Sequence, residues 1–191
     1  MIQLYAEGTT DVGRKREHNE DRIFCDPELG LYIVCDGMGG HEAGEVAAEM
    51  VTDHLVAAMR EAVGAVSGEP EEAALVLGDA LERALMDANA EVNRFAQDQG
   101  QKRGMGTTCT AMIEFGGHDT ICHVGDSRCY LVRDGRLYQM TQDHSWVAEM
   151  VRLGRMTKQE AERSPQRNLL VRSVGTQPVV KVDRLPLDLV A

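Results

Sequence analysis

Asp36 heads the group of residues in this sequence best able to do chemistry. It follows the apolar run Leu31-Tyr32-Ile33-Val34 and precedes a glycine-rich stretch with Gly37, Gly39, Gly40 and Gly44. Glycines lack Cβ atoms, so the backbone can bend sharply there and its carbonyls can approach a ligand. A carboxylate at the mouth of such a turn suits a hard cation held through oxygen. Upstream lie Arg16, Glu20 and Asp21, in a polar segment where basic residues are followed directly by acidic ones. Composition alone makes this a solvated charge run. Chemically, Arg16 could fork onto a phosphate, and Glu20 and Asp21 could hold a metal directly or through water. Asp126 lies between apolar strand-like segments, where a carboxylate needs a partner. It reads equally as a hydrogen-bonded turn aspartate or as a further metal ligand.

Regular elements must bring these residues together. Alternating Ile2, Leu4 and Ala6 predict a first strand within residues 1–12. Arg22 to Cys25 and Leu31 to Val34 predict neighbouring strands, which would carry Glu20 and Asp21 towards Asp36 at a strand end. Helical spacing of Ala43, Val46, Ala47, Met50, Val51, Leu55 and Ala58 predicts a helix to about Arg60, followed by a linker over 61–70. His54 on its apolar face reads as a core or boundary histidine. Ala74, Leu77, Leu81, Ala84, Leu85, Ala88, Val92 and Phe95 form the stripe of a second long helix, Glu71 to Gln99. Strands follow at 107–113, 120–124, 129–132 and 137–140, the last two joined by an Asp134-Gly135 hairpin signal. A short helix near Trp146 and a second opened by the Thr157 to Glu160 capping box form a small lobe, with a strand over 179–187.

The chain of 191 residues carries a net charge of −11, with 43% apolar residues. That balance argues against a nucleic-acid binder, whose footprint would be basic. No apolar run approaches the length of a membrane span, and the N-terminus lacks the pattern of a signal peptide. Cys25, Cys35, Cys109, Cys122 and Cys129 are odd in number and form no Cys-x-x-Cys pair. They read as buried free thiols of a cytoplasmic protein. The glycine turn fits neither the dinucleotide nor the Walker pattern, and Glu42 and Glu45 would repel a phosphate unless a cation intervened. What remains is an oxygen-rich acidic centre with an arginine nearby. It suits Mg²⁺ or Mn²⁺ and hydrolysis of a phosphate ester.

Arg16-x-x-Asn19-Glu20-Asp21, Asp36-Gly37-Met38-Gly39-Gly40-His41, Gly106-Thr107-Thr108 and Gly125-Asp126-Ser127-Arg128 occur in one order. In that order and spacing the sequence resembles the metal-dependent protein phosphatases, the PPM or type 2C serine/threonine phosphatases. Asp143-His144-Ser145, Gly154 and Arg167-Asn168 are similar to the bacterial branch. The resemblance implies an α/β fold, a four-layer sandwich of two antiparallel sheets flanked by helices. It implies one phosphatase domain over 1–191, with a flap at 145–167 beside the substrate cleft.

By the same resemblance, Asp36 would bridge two metals and the Gly37 carbonyl would ligate one. Glu20 and Asp21 would support the centre, Asp126 would hold a third and weaker ion, and Arg16 would bind the substrate phosphate. A metal-bridging water would attack phosphorus, and His41 is a candidate general acid. The implied substrate is a phosphoserine or phosphothreonine protein, opposing a serine/threonine kinase in signalling. The family's further metal aspartates and closing strands would lie past Ala191. Weak or absent catalysis by this length of chain is therefore expected, and the alternative is a non-catalytic phosphoprotein-binding module.

Overall fold

The computed structural model describes residues 5–39, 42–98 and 104–187. Two antiparallel strands open the fold, β1 (Asp21–Asp26) and β2 (Leu31–Met38), followed by two long helices, α1 (Glu42–Ala65) and α2 (Pro70–Asp98). Next come β3 (Gly106–Thr107), β4 (Cys109–Phe115), β5 (His118–Val124), β6 (Tyr130–Arg133) and β7 (Arg136–Gln139). Short helices α3 (Trp146–Arg152) and α4 (Lys158–Arg163) precede a closing strand, β8 (Asp183–Leu187). The larger sheet runs β1-β2-β4-β5-β8, with β3 also on β2, and β6-β7 forms the second sheet. Both are antiparallel. This is the expected α/β class with two antiparallel sheets and helices.

The core lies between the larger sheet and the α1–α2 pair. Along β2, Leu31, Ile33, Cys35 and Gly37 are buried while Val34 and Asp36 are exposed. This alternation is the two-residue period of a strand with one face on the helices. Leu55 and Met59 of α1 and Leu77, Leu81, Leu85 and Val92 of α2 are all 0% exposed, facing that sheet. Each such side chain contributes roughly 1.5–3 kcal/mol by burial. The predicted α2 stripe is buried apart from Phe95, which is packed at its edge. His54 sits at the helix–helix boundary, with Nδ1 2.9 Å from Glu91 Oε2 of α2.

Several boundaries differ from the sequence reading. The expected first strand falls partly on residues 1–4, outside the described residues, and residues 5–12 form no strand. They are exposed, and their contact with the sheet includes the packing of Gly8 on Ile23. The expected linker 61–70 is shorter, because α1 continues to Ala65. Ala62, Val63 and Val66 pack on the core, and that burial outweighs the roughly 1 kcal/mol cost of Gly64 in a helix. The strand expected over 179–187 begins at Asp183. Cys25 is exposed, Cys129 is intermediate, and only Cys35, Cys109 and Cys122 are buried thiols.

Candidate metal centre

The strand register builds the candidate site. Asp21 on β1 pairs directly with Asp36 on β2. Cross-strand partners share a face, so both carboxylates emerge opposite the helix layer. Asp36 is therefore not at a strand end: β2 runs on to Met38, held by pairing of Gly37 with Thr107 and Met38 with Gly106. Asn19 shapes the entry to β1, its Oδ1 accepting the Asp21 amide at 3.1 Å and its Nδ2 donating to Thr10 Oγ1 at 2.8 Å. The Gly37 amide donates to the Glu20 carbonyl at 3.1 Å, which extends the pairing one residue upstream.

Gly37 and Gly44 act by close approach. Gly44 lies inside α1, where an added Cβ would stand 2.7 Å from the Gly37 carbonyl carbon and the Met38 amide nitrogen. The first turn of α1 thus rests directly on the β2 backbone. Gly40 and His41 lie outside the described residues, so the general-acid expectation for His41 has no geometry here.

Thr108 joins Asp36 on β2 to the loop that carries Asp126, a role that no motif in the sequence assigns it. Its amide donates to the Asp36 carbonyl at 2.9 Å, and its Oγ1 accepts the Asp36 amide at 3.0 Å. The same hydroxyl lies 2.7 Å from Ser127 Oγ. Gly125 presses on Thr108, since a Cβ there would meet Thr108 Cβ at 2.5 Å, and its φ of +117° favours glycine independently. Asp21, Asp36, Thr108 and the Gly125-Asp126 loop therefore lie along one row across the sheet. A threonine following Gly106-Thr107 was the only sequence signal for this spacer.

The electrostatics follow from that crowding. Asp36 is solvent-accessible, yet the protein around it strips enough water to raise its carboxyl, and the Asp21 carboxylate hydrogen-bonded to it raises it further. Asp126 adds to this and Arg16 opposes it, leaving Asp36 at about 6. Burial and the charge of Asp143 likewise raise Asp126. Arg16 is exposed and pairs loosely with Glu20, Nη1 to Oε2 at 3.9 Å. Among the described residues, no three acidic, histidine or cysteine side chains converge into a closed metal cage. An all-oxygen pair of carboxylates that repel one another, open to water, fits a hard divalent ion that keeps much of its hydration.

Asp126 also borders a cleft of about 1020 Å³ beneath α3 and α4, which Asp21 and Asp36 do not line. Arg128 and Asp143 close one side of it through two guanidinium nitrogens, with Nη2 to Oδ2 at 2.5 Å. The small lobe is built as its caps predict. Ser145 Oγ accepts the Ala148 amide at 3.3 Å, and Thr157 and Glu160 complete a capping box.

Residues 10–182 match the family described as Protein phosphatase 2C. The chain belongs to that family. It is 38% identical over 183 residues to "Serine/threonine phosphatase stp" of Listeria innocua, covering 94% of this chain and 70% of that protein. It is 35% identical to "Protein phosphatase PhpP" of Streptococcus pneumoniae, covering 91% of this chain and 69% of that one. The solved structure of serine/threonine phosphatase Stp1 from Staphylococcus aureus superposes with a TM-score of 0.81 at 34% identity, covering 100% of this chain and 76% of that one. The catalytic domain of the phosphatase PstP, solved with two manganese ions, superposes at 0.70 with 31% identity, covering 91% and 68% of the two chains. Membership of the 2C family carries metal dependence with it.

Proposed function

We propose that this 2C-family chain is a metal-dependent protein serine/threonine phosphatase whose cations are held at the Asp21–Asp36 corner. The observation that carries the reading is the direct pairing of Asp21 with Asp36 on one face of the sheet. Two adjacent carboxylates, one with its proton affinity raised to about 6, are costly to keep charged without a cation. The names of the relatives support phosphoserine and phosphothreonine as the substrates. The manganese-bound neighbour supports Mn²⁺, with Mg²⁺ as the chemically equivalent alternative.

In this reading Asp36, Asp21 and the Gly37 carbonyl hold the ions, with Glu20 in support and Asp126 holding a further, weaker one. When bound, such ions supply an activated water and offset charge on the phosphoryl oxygens. The protein's own contribution is placement. Thr108 and the β1 and β3 pairings fix the Asp36 backbone, so the carboxylate needs little reorganisation on loading. Arg16, exposed and bound only loosely to Glu20, is free to swing onto the substrate phosphate. The cleft under α3 and α4 receives the polypeptide around the phosphoresidue. A protein kinase is the opposing partner. The charge of −11 disfavours nucleic acid, and among the described residues no helix is long and apolar enough to cross a membrane. We place its action in the cytoplasm.

The test is hydrolysis of a phosphothreonine peptide with and without Mn²⁺, in the wild type and Asp36→Asn. Turnover, however slow in this length of chain, is expected to require Mn²⁺ and to fall at least about a hundredfold in Asp36→Asn. Turnover that survives the substitution, or that ignores chelator, would refute the assignment.

A further inference from the structure

His144 grips Gly125 at two points. Its amide donates to the Gly125 carbonyl at 2.7 Å, and its ring Nδ1 accepts the Gly125 amide at 3.0 Å. A backbone N–H can only donate, so Nδ1 carries no proton, and the neutral ring holds its proton on Nε2. Nε2 lies 3.1 Å from Asp183 Oδ2 and donates to it. Arg172 Nη1 is 2.9 Å from the same Nε2, but two donors cannot bond one another. The Arg172 proton goes instead to Asp183 Oδ1 at 2.5 Å. Asp183 therefore selects the tautomer that leaves Nδ1 free to hold Gly125. The His144 carbonyl accepts the Val171 amide at 2.9 Å, so the residue is anchored on every polar side. It is 6% exposed, which leaves little access for water to replace these bonds.

Gly125 immediately precedes Asp126. It is wedged between this histidine and Thr108, in a conformation with φ of +117°. The direction of the Asp126 carboxylate depends on where that backbone is held. We infer that His144 is a positioning residue for Asp126, acting through its clamp on Gly125 to set how tightly Asp126 binds a divalent cation. The inference rests on the proposed metal role of Asp126 and adds the device that aims it. It also links β8 and the segment around Arg172 to the acidic loop, through one imidazole.

Mn²⁺ titration calorimetry on the full chain tests it, with the wild type, Asp126→Asn, His144→Ala and His144→Asn compared near neutral pH. Asp126→Asn is expected to remove a weaker binding phase and keep the stronger one. His144→Ala is expected to weaken that same phase about tenfold or more, as loss of an orienting group does at metal sites, and to leave the stronger phase alone. His144→Asn can still accept the Gly125 amide through Oδ1, and should restore the weak phase to within about threefold of wild type. A His144→Ala protein with a lower melting temperature but an unaltered weak phase would overturn the inference, because a merely structural histidine behaves that way. Equal loss of both phases would overturn it too. If Asp126→Asn alters neither phase, the metal role of Asp126 falls and the inference with it. If Asp126→Asn removes the phase and His144→Ala does not, only the clamp falls.

Discussion

Thr108 holds Asp36 by both of its backbone groups, donating to the carbonyl at 2.9 Å and accepting the amide at 3.0 Å through Oγ1. The residue is 2% exposed, so water has little access to substitute for the hydroxyl. The carboxylate at the heart of the proposed centre is thus aimed by a residue that touches no metal in this reading.

Thr108→Val keeps the shape and removes the hydroxyl. It strands the Asp36 amide and breaks the link to Ser127. A loss of about 1–3 kcal/mol of stability is expected in urea denaturation. Mn²⁺ affinity should fall about tenfold, and Thr108→Ser should recover most of it. A valine variant that binds Mn²⁺ like the wild type would contradict the spacer role.

Gly125→Ala and Gly135→Ala compare a crowded glycine with an open one. Both glycines have positive φ, but Gly135 has nothing within 4 Å of an added Cβ, whereas Gly125 meets Thr108. Gly135→Ala should cost about 1 kcal/mol and Gly125→Ala at least about 3 kcal/mol, the extra arising from the clash with Thr108 and from a φ outside the left-handed helical region. Equal losses in parallel denaturation curves would mean that Gly125 is not wedged against Thr108.

How much of this could be read from the sequence follows from which interactions are local. Asp36, Asp21 and Arg16 were visible because charge and glycine stand out against an apolar run. The α2 stripe and the Thr157 capping box were visible because periodicity and caps are short-range patterns. Thr108 and Asn89 were not. Thr108 sits in a run of threonines whose individual partners only the register decides. Asn89 is 1% exposed on the apolar face of α2, where it bonds the Gly175 amide at 2.8 Å and the Gln177 carbonyl at 3.0 Å. Its partners lie more than 80 residues away in sequence. The end of α1 differs from the sequence expectation for the same reason: Gly64 breaks the local pattern, and tertiary packing overrides it.

Acid should weaken metal binding through Asp36. Its carboxyl titrates at about 6 in the metal-free fold, so below that pH a proton must leave before a cation binds. Apparent Mn²⁺ affinity is expected to drop about tenfold per pH unit below 6 and to level off above it. Calorimetry from pH 5 to pH 8 reads this, and a flat profile would contradict the raised value.

The metal-free fold should respond to pH with two opposed contributions. Asp36 binds its proton more tightly folded than unfolded, so its contribution to stability falls as pH rises from 3.8 to about 6. His123 is 0% exposed, and burial followed by the neighbouring His144 lowers it from 6.5 to about 4. The unfolded chain therefore binds that proton first, and the His123 contribution rises as pH goes from about 4 to 6.5, by up to about 3 kcal/mol. Saturating Mn²⁺ should remove the Asp36 part and leave a plain loss of stability on acidification. His123→Asn should flatten that loss, as read by melting temperature against pH. An acid limb of unchanged slope in His123→Asn would exclude the histidine as its source.

In the proposed centre the Asp21–Asp36 pair holds the metal ions. Mn²⁺ titration calorimetry on the wild type, Asp21→Asn and Asp36→Asn is the deciding measurement. Asp36→Asn is expected to abolish the tightest binding phase and Asp21→Asn to weaken it by at least about tenfold. A tightest phase of wild-type affinity in Asp36→Asn would contradict that assignment.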